Sequence, residues 1–224
     1  MSVYQIEKKQ ISKLDHLLKK NVPIIIIKKF LQKNFCKDII KYCINESQKN
    51  QHRKITKDGN FFSTDIHPSN VKTDRIFRKY MLGKNFEKKF KKIDAIIKFQ
   101  HNKILKPKNN NSKTEIQVVQ YPRGGGYFAE HKHNRYPTNY GMIITLSEKG
   151  TDFNKGATNI KFKNKYINLE KYNIKSGDLT LFRFDLTHKI TPVDPDKYLS
   201  FDHKGRWTLL LSIAPKKLSL SSYY

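Results

Sequence analysis

Acidic side chains are scarce in this chain of 224 residues, where 19 Asp and Glu stand against 45 Lys and Arg and the formal charge is +26 at pH 7. Such a balance raises a polyanion, above all a nucleic acid, as a possible partner. Arginine is scarce as well, with seven in the whole chain, and the lysines run through every segment in company with asparagine. That spread fits residue usage and solvated lysine faces better than a built groove, whose sharper sign is an arginine-rich stripe interleaved with aromatics. Weak, salt-sensitive binding to polyanions is still expected.

Long apolar runs are missing. Nothing approaches the about 18 consecutive apolar residues of a membrane helix, the longest candidate being Val22 to Ile27, and the first residues lack the apolar core of a secretory signal. The expected compartment is the cytoplasm. Cysteine is almost absent: Cys36 and Cys43 lie seven residues apart in one predicted helix, roughly 10 Å along its axis, which excludes a disulfide and predicts reduced core residues.

The length allows one catalytic domain with a helical flank. The first hundred residues read mainly as helix: apolar positions recur at helical spacing in Phe35, Ile39, Ile40, Cys43 and Ile44, again from Asp74 to Met81, and again from Phe86 to Ile104. Pro23 to Ile27 reads as a short buried strand. A polar stretch at 107–114 divides the chain, and beyond it the period changes to strands at Glu115–Tyr121, Tyr127–His133, Gly141–Leu146, Ala157–Phe162, Asp178–Phe184, Thr187–Thr191 and Trp207–Ile213. Turns such as Arg123-Gly-Gly-Gly and Lys175-Ser-Gly-Asp punctuate them. The expected class is α+β, with a jelly roll at 115–216 carried on a helix-rich support at 1–106.

Three histidines stand out in the strand-rich half. His131 and His133 are two apart, so on an extended strand they share a face, and His188 opens a later predicted strand whose antiparallel pairing can bring it to the same ion. Imidazole suits iron, zinc, copper and nickel alike, so the ligands do not name the metal. Arg206 follows on another strand. A planar guanidinium binds a carboxylate through two parallel hydrogen bonds, which lysine does not reproduce, and an arginine kept in a lysine-dominated chain points to that geometry.

The runs Val118-Val-Gln-Tyr-Pro-Arg-Gly-Gly-Gly-Tyr-Phe-Ala-Glu-His-Lys-His, Ile143-Ile-Thr-Leu-Ser, Gly156-Ala-Thr, Ser176-Gly-Asp-Leu-Thr-Leu-Phe, Leu186-Thr-His-Lys-Ile-Thr-Pro-Val and Gly205-Arg-Trp-Thr resemble, in order and spacing, the iron(II)- and 2-oxoglutarate-dependent dioxygenases of the prolyl-hydroxylase-like branch. The resemblance covers about residues 115 to 214. It implies a double-stranded β-helix, iron(II), 2-oxoglutarate and dioxygen, and hydroxylation of a C–H bond with release of succinate and carbon dioxide. It implies His131 and His188 as metal ligands and Arg206 as partner of the far carboxylate of 2-oxoglutarate, with Tyr121, Thr145 and Thr208 helping to hold that co-substrate. His133 departs from the pattern, since it stands where the family carries Asp or Glu. Three neutral imidazoles leave the ion at its full charge, which a dianionic co-substrate neutralises. A side chain of this size also disfavours halogenation, which needs a small residue there.

Other residues carry two readings each. Arg135 anchors an acidic substrate group or sits on a solvated loop. Asp185 orients His188 or serves a turn. The stretch from Asn60 to Asn70 is a lid over the site or an ordinary connector. Tyr127, Phe128, Phe182, Phe184 and Trp207 read as core, and the substrate as a small polar molecule. Two rival functions remain: a zinc hydrolase or hydratase using the same histidines, which has no need of Arg206, and a non-catalytic basic nucleic-acid-binding protein.

Overall fold

The structure is a computed structural model and describes residues 2–49, 61–65, 74–105, 112–133 and 138–215. Its centre is a large, mostly antiparallel sheet. Strands β1 (Val3–Glu7), β2 (Ile24–Lys28), β3 (Phe61–Asp65) and β4 (Arg75–Leu82) come from the first hundred residues, and β5 (Ser112–Tyr121), β6 (Gly126–His131), β7 (Tyr140–Thr145), β8 (Thr158–Phe162), β9 (Lys165–Asn168), β10 (Leu179–Arg183), β11 (His188–Val193) and β12 (Arg206–Pro215) from the rest. The spatial order is β1-β2-β10-β7-β12-β5-β4-β6-β11-β8-β9, with β3 on β4, and among the described strands β1 and β2 are the one parallel pair. The path turns at β4, which pairs with β5 through Arg78 to Leu82 and with β6 through Arg75 and Ile76. A major face, β1 to β4, thereby meets a minor face, β6-β11-β8-β9, an arrangement consistent with a jelly roll.

Alternation along β12 sorts the two sides of the major face. Trp207, Leu209 and Leu211 join Cys36, Ile39 and Cys43 of the helix Lys33–Lys49 and Ile93 and Ile96 of a later helix, Lys92–Lys103, in one buried cluster. Cys36 and Cys43 are free and buried, as their spacing predicted. Arg206, Thr208 and Leu210 point the other way, toward the minor face. Among the described residues no helix is long and apolar enough to cross a membrane.

Several expectations need correction. Asp74 to Met81 carries helical spacing yet forms β4. Its apolar residues fall on both faces, Tyr80 and Leu82 in the helix-side cluster and Phe77 in the cluster between the faces, so simple alternation is lost. The stretch from Phe86 to Ile104 is two helices, Lys84–Lys89 and Lys92–Lys103, broken at Phe90, whose ψ is 66°. At 107–114, Ser112 to Thr114 already belong to β5, and 107–111 lie outside the described residues. Within Asn60 to Asn70 only residues 61–65 are described, and they pair with β4 as a strand.

The glycine-rich turn after β5 brings β6 back toward β11. Gly124 sits at φ +82°, where a Cβ would stand 2.3 Å from the backbone nitrogen of Leu199. Its N–H and that of Gly125 donate to the carbonyls of Asp194 and Val193 at the end of β11, at 3.1 and 2.9 Å.

Candidate metal centre

His131, the last residue of β6, is directly opposite His188, the first residue of β11. His133 lies just past the end of β6, so the shared strand face expected for the His-Lys-His pair stops at its first member. A different contact holds the second: the backbone N–H of His133 donates to the carbonyl of Phe184 at 3.0 Å. The three rings converge, with centroids 4.2 Å apart for His131 and His188, 5.0 Å for His131 and His133, and 5.1 Å for His133 and His188. One nitrogen from each lies within 4.8 Å of the others.

Two of the rings are oriented by the backbone two residues earlier in the chain. Nδ1 of His131 meets the carbonyl of Ala129 at 2.8 Å, and Nδ1 of His188 meets that of Leu186 at 3.0 Å. A carbonyl only accepts, so each Nδ1 carries the proton and each Nε2 keeps its lone pair. Asp185, weighed as an orienting partner for His188, instead binds Arg183 through two hydrogen bonds of 3.0 and 2.5 Å and serves the turn.

Burial governs the charge of the site. It pushes His188 down to about 3, helped by the neighbouring His131, and His133 down to about 4, again with His131 contributing. His131 is lowered too, by burial and then by the charge of Arg75. All three imidazoles are neutral donors near pH 7. A metal–nitrogen bond of about 2.1 Å sets ligand nitrogens roughly 3.0 to 3.4 Å apart, a separation that side-chain rotation reaches from the present arrangement. The donor set fits a divalent transition metal, and among the described residues it contains no carboxylate.

The cluster opens on a cavity of about 540 Å³ between the two faces. Phe182 and Phe184, expected as simple core, line it beside the histidines together with Phe128, whose ring lies 3.9 Å from that of His131. Trp207 is core as expected and fully buried on the other side of β12.

The residues expected to hold a co-substrate divide. Tyr121 and Thr208 line the cavity, and Tyr121 is the cross-strand partner of Arg206. Burial pushes the Tyr121 phenol up, with the Arg206 charge only partly offsetting it, so it is a neutral donor. Thr145 pairs with Thr208 across β7 and β12 and is buried, off the cavity wall. Arg206 is buried behind the wall. Its Nη1 donates to Glu170 at 2.6 Å, its Nη2 donates to the hydroxyl of Thr158 at 2.7 Å, and its Nε has no partner among the described residues. Arg135 lies outside the described residues.

Sequence reasoning missed Thr158, Glu170 and Arg75. Thr158 and Arg75 line the cavity, and Glu170 closes on Arg206 from the short 3₁₀ turn Leu169–Tyr172. Thr158 ends the Gly156-Ala-Thr run, so a signal for it existed. Glu170, a lone acid in a lysine-rich stretch, carried none.

No protein-family model matches the chain, and no curated protein sequence does. Among solved structures it is similar to a prolyl-4-hydroxylase from Pseudomonas putida, at 12% identity with a TM-score of 0.53, over 92% of this chain and 100% of that one. It is also similar to an oxidoreductase of the 2OG-Fe(II) oxygenase family from Burkholderia pseudomallei, at 8% identity with a TM-score of 0.50, over 96% of each chain. At these identities the likeness is one of fold.

Proposed function

We propose that this chain is an iron(II)- and 2-oxoglutarate-dependent oxygenase, a double-stranded β-helix whose core at 115–216 is completed by strands from residues 1–106, β2 beside β10 and β4 between β5 and β6. The observation that carries the reading is the meeting of His131, His133 and His188 at the mouth of a cavity, in a fold shared with a prolyl-4-hydroxylase.

In this reading the three neutral imidazoles hold the metal, and the Nδ1 hydrogen bonds of His131 and His188 fix which nitrogen they present. Phe128, Phe182 and Phe184 keep water from the ion. Arg206 takes the far carboxylate of 2-oxoglutarate, and Thr158, Tyr121 and Thr208 supply hydroxyls along the way, with Thr145 behind them. The Thr158 oxygen accepts from Arg206, which leaves its O–H to donate into the cavity. When bound, iron(II), 2-oxoglutarate and dioxygen supply an oxidative decarboxylation to succinate and carbon dioxide coupled to hydroxylation of an unactivated C–H bond. The cavity is of the size that takes small molecules, about 300 to 1,000 Å³, and the substrate is a small polar one.

A second reading has one observation in its favour. The terminal nitrogens of Arg206 are already engaged by Glu170 and Thr158, and a zinc hydrolase or hydratase built on the same three imidazoles has no use for a free guanidinium. The test is to load the protein with iron(II) without oxygen, add 2-oxoglutarate, admit oxygen and assay succinate. Succinate formed only when both are present supports the oxygenase. Tight zinc retention with no binding of 2-oxoglutarate moves the function to hydrolysis.

A further inference from the structure

Glu170 and Arg206 form a buried ion pair, with side-chain exposures of 8% and 3%. A guanidinium buried without a counter-charge costs several kcal/mol, and Glu170 supplies that charge from 36 residues away in the chain. The delivery is specific. Glu170 sits in a one-turn 3₁₀ segment whose N–H is capped by the side chain of Asn168 at 2.9 Å, while Leu169 beside it is buried in the sheet interior. That segment follows β9, the last strand of the minor face, which among the described residues has a neighbour on one side only. A turn in this position can shift without breaking up the sheet.

The order of groups matters as well. Thr158 lines the cavity, whereas Arg206 and Glu170 do not. An anion entering from the cavity meets the Thr158 hydroxyl, then a guanidinium whose charge is already matched. Among the described residues two of the five N–H donors of Arg206 are in use and Nε is buried without a partner, so the fork has capacity for a carboxylate that its present one does not fill.

We propose that Glu170 is a resident carboxylate on the co-substrate's anchor, which holds the Arg206 guanidinium neutralised and sets how tightly the far carboxylate of a dicarboxylate binds. This rests on the reading of Arg206 as that anchor. With Glu170 present, an incoming carboxylate meets a neutral pair and a like charge beside it. With Glu170 replaced by an amide of the same shape, it meets an unmatched cation.

The test uses full-length protein loaded with manganese(II), which does not turn over, and calorimetric titration with 2-oxoglutarate and with pyruvate, a keto acid that lacks the far carboxylate. Glu170→Gln is expected to bind 2-oxoglutarate about tenfold or more tighter than the wild type, the equivalent of one charge-assisted contact. Pyruvate affinity is expected to stay unchanged. Glu170→Asp, which keeps the charge and withdraws it by one methylene, gives a smaller gain and serves if the amide variant does not fold. Unchanged or weaker 2-oxoglutarate binding in the folded variants, or an equal gain for pyruvate, overturns the inference while leaving the co-substrate reading intact. Metal-loaded wild type and variants that all fail to bind 2-oxoglutarate overturn both.

Discussion

His131 ends β6 and His188 begins β11, opposite one another in register with ring centroids 4.2 Å apart. A cross-strand pair is the most rigid way to hold two ligands, because the ladder fixes the backbone beneath both. Loss of either imidazole should therefore abolish stoichiometric metal binding. His188→Ala is expected to lower affinity for iron(II) by about a hundredfold or more, measured by equilibrium dialysis with metal analysis. A variant that retains wild-type affinity shows that the pair serves packing alone.

His133 is held differently, by a backbone bond to Phe184 past the end of β6, and it is the most exposed of the three. Its position has room for a carboxylate. His133→Asp should retain or improve iron binding, and His133→Ala should weaken it by roughly tenfold, again by dialysis. Equal affinity for the alanine variant and the wild type removes His133 from the ligand set.

Protonation gives an independent handle. An unfolded chain protonates these rings near pH 6.5, whereas burial holds His188 at about 3 in the fold. Between those values the unfolded state binds more protons, so the contribution of His188 to stability is fully present above pH of about 6.5 and is lost as pH falls toward the folded value. For His188 alone the loss by pH of about 4.5 is roughly 3 kcal/mol. Denaturant midpoints of metal-free protein should fall across this range, with a shallower fall in His188→Asn. A flat wild-type profile contradicts the burial described for the site.

The turn that aligns β6 with β11 makes a fourth prediction. Gly124→Ala forces a side chain into a left-handed backbone with a Cβ 2.3 Å from Leu199. The expected cost is about 2 to 4 kcal/mol in chemical denaturation, with weakened metal binding because His131 follows on β6. A cost under about 0.5 kcal/mol shows that the turn is free to rearrange.

Much of the strand-rich half was legible because its strands alternate between the helix-side core and the cavity. The expected Trp207–Ile213 strand is the middle of β12, and the expected Gly141–Leu146 strand is β7 displaced by one residue. β4 was not legible, since its buried residues divide between two cores, Tyr80 and Leu82 in one and Phe77 in the other, and Ile76, Phe77, Tyr80 and Met81 so mimic a helical stripe. β1 escaped too: its buried residues Val3 and Ile6 are three apart, and it is held by parallel pairing to β2. The histidines announced themselves through local spacing and strand starts. The pairing of Arg206 with Glu170 did not, because it joins positions 36 apart through a turn of the minor face that no local pattern encodes.

Anaerobic titration of metal-free protein with iron(II), followed by 2-oxoglutarate and monitored by visible absorption, tests the centre most directly. One iron per chain is predicted, with a weak charge-transfer band that grows on adding 2-oxoglutarate and is absent in His188→Ala. Iron binding of undefined stoichiometry, or a band that survives in His188→Ala, contradicts a single ion held by His131, His133 and His188.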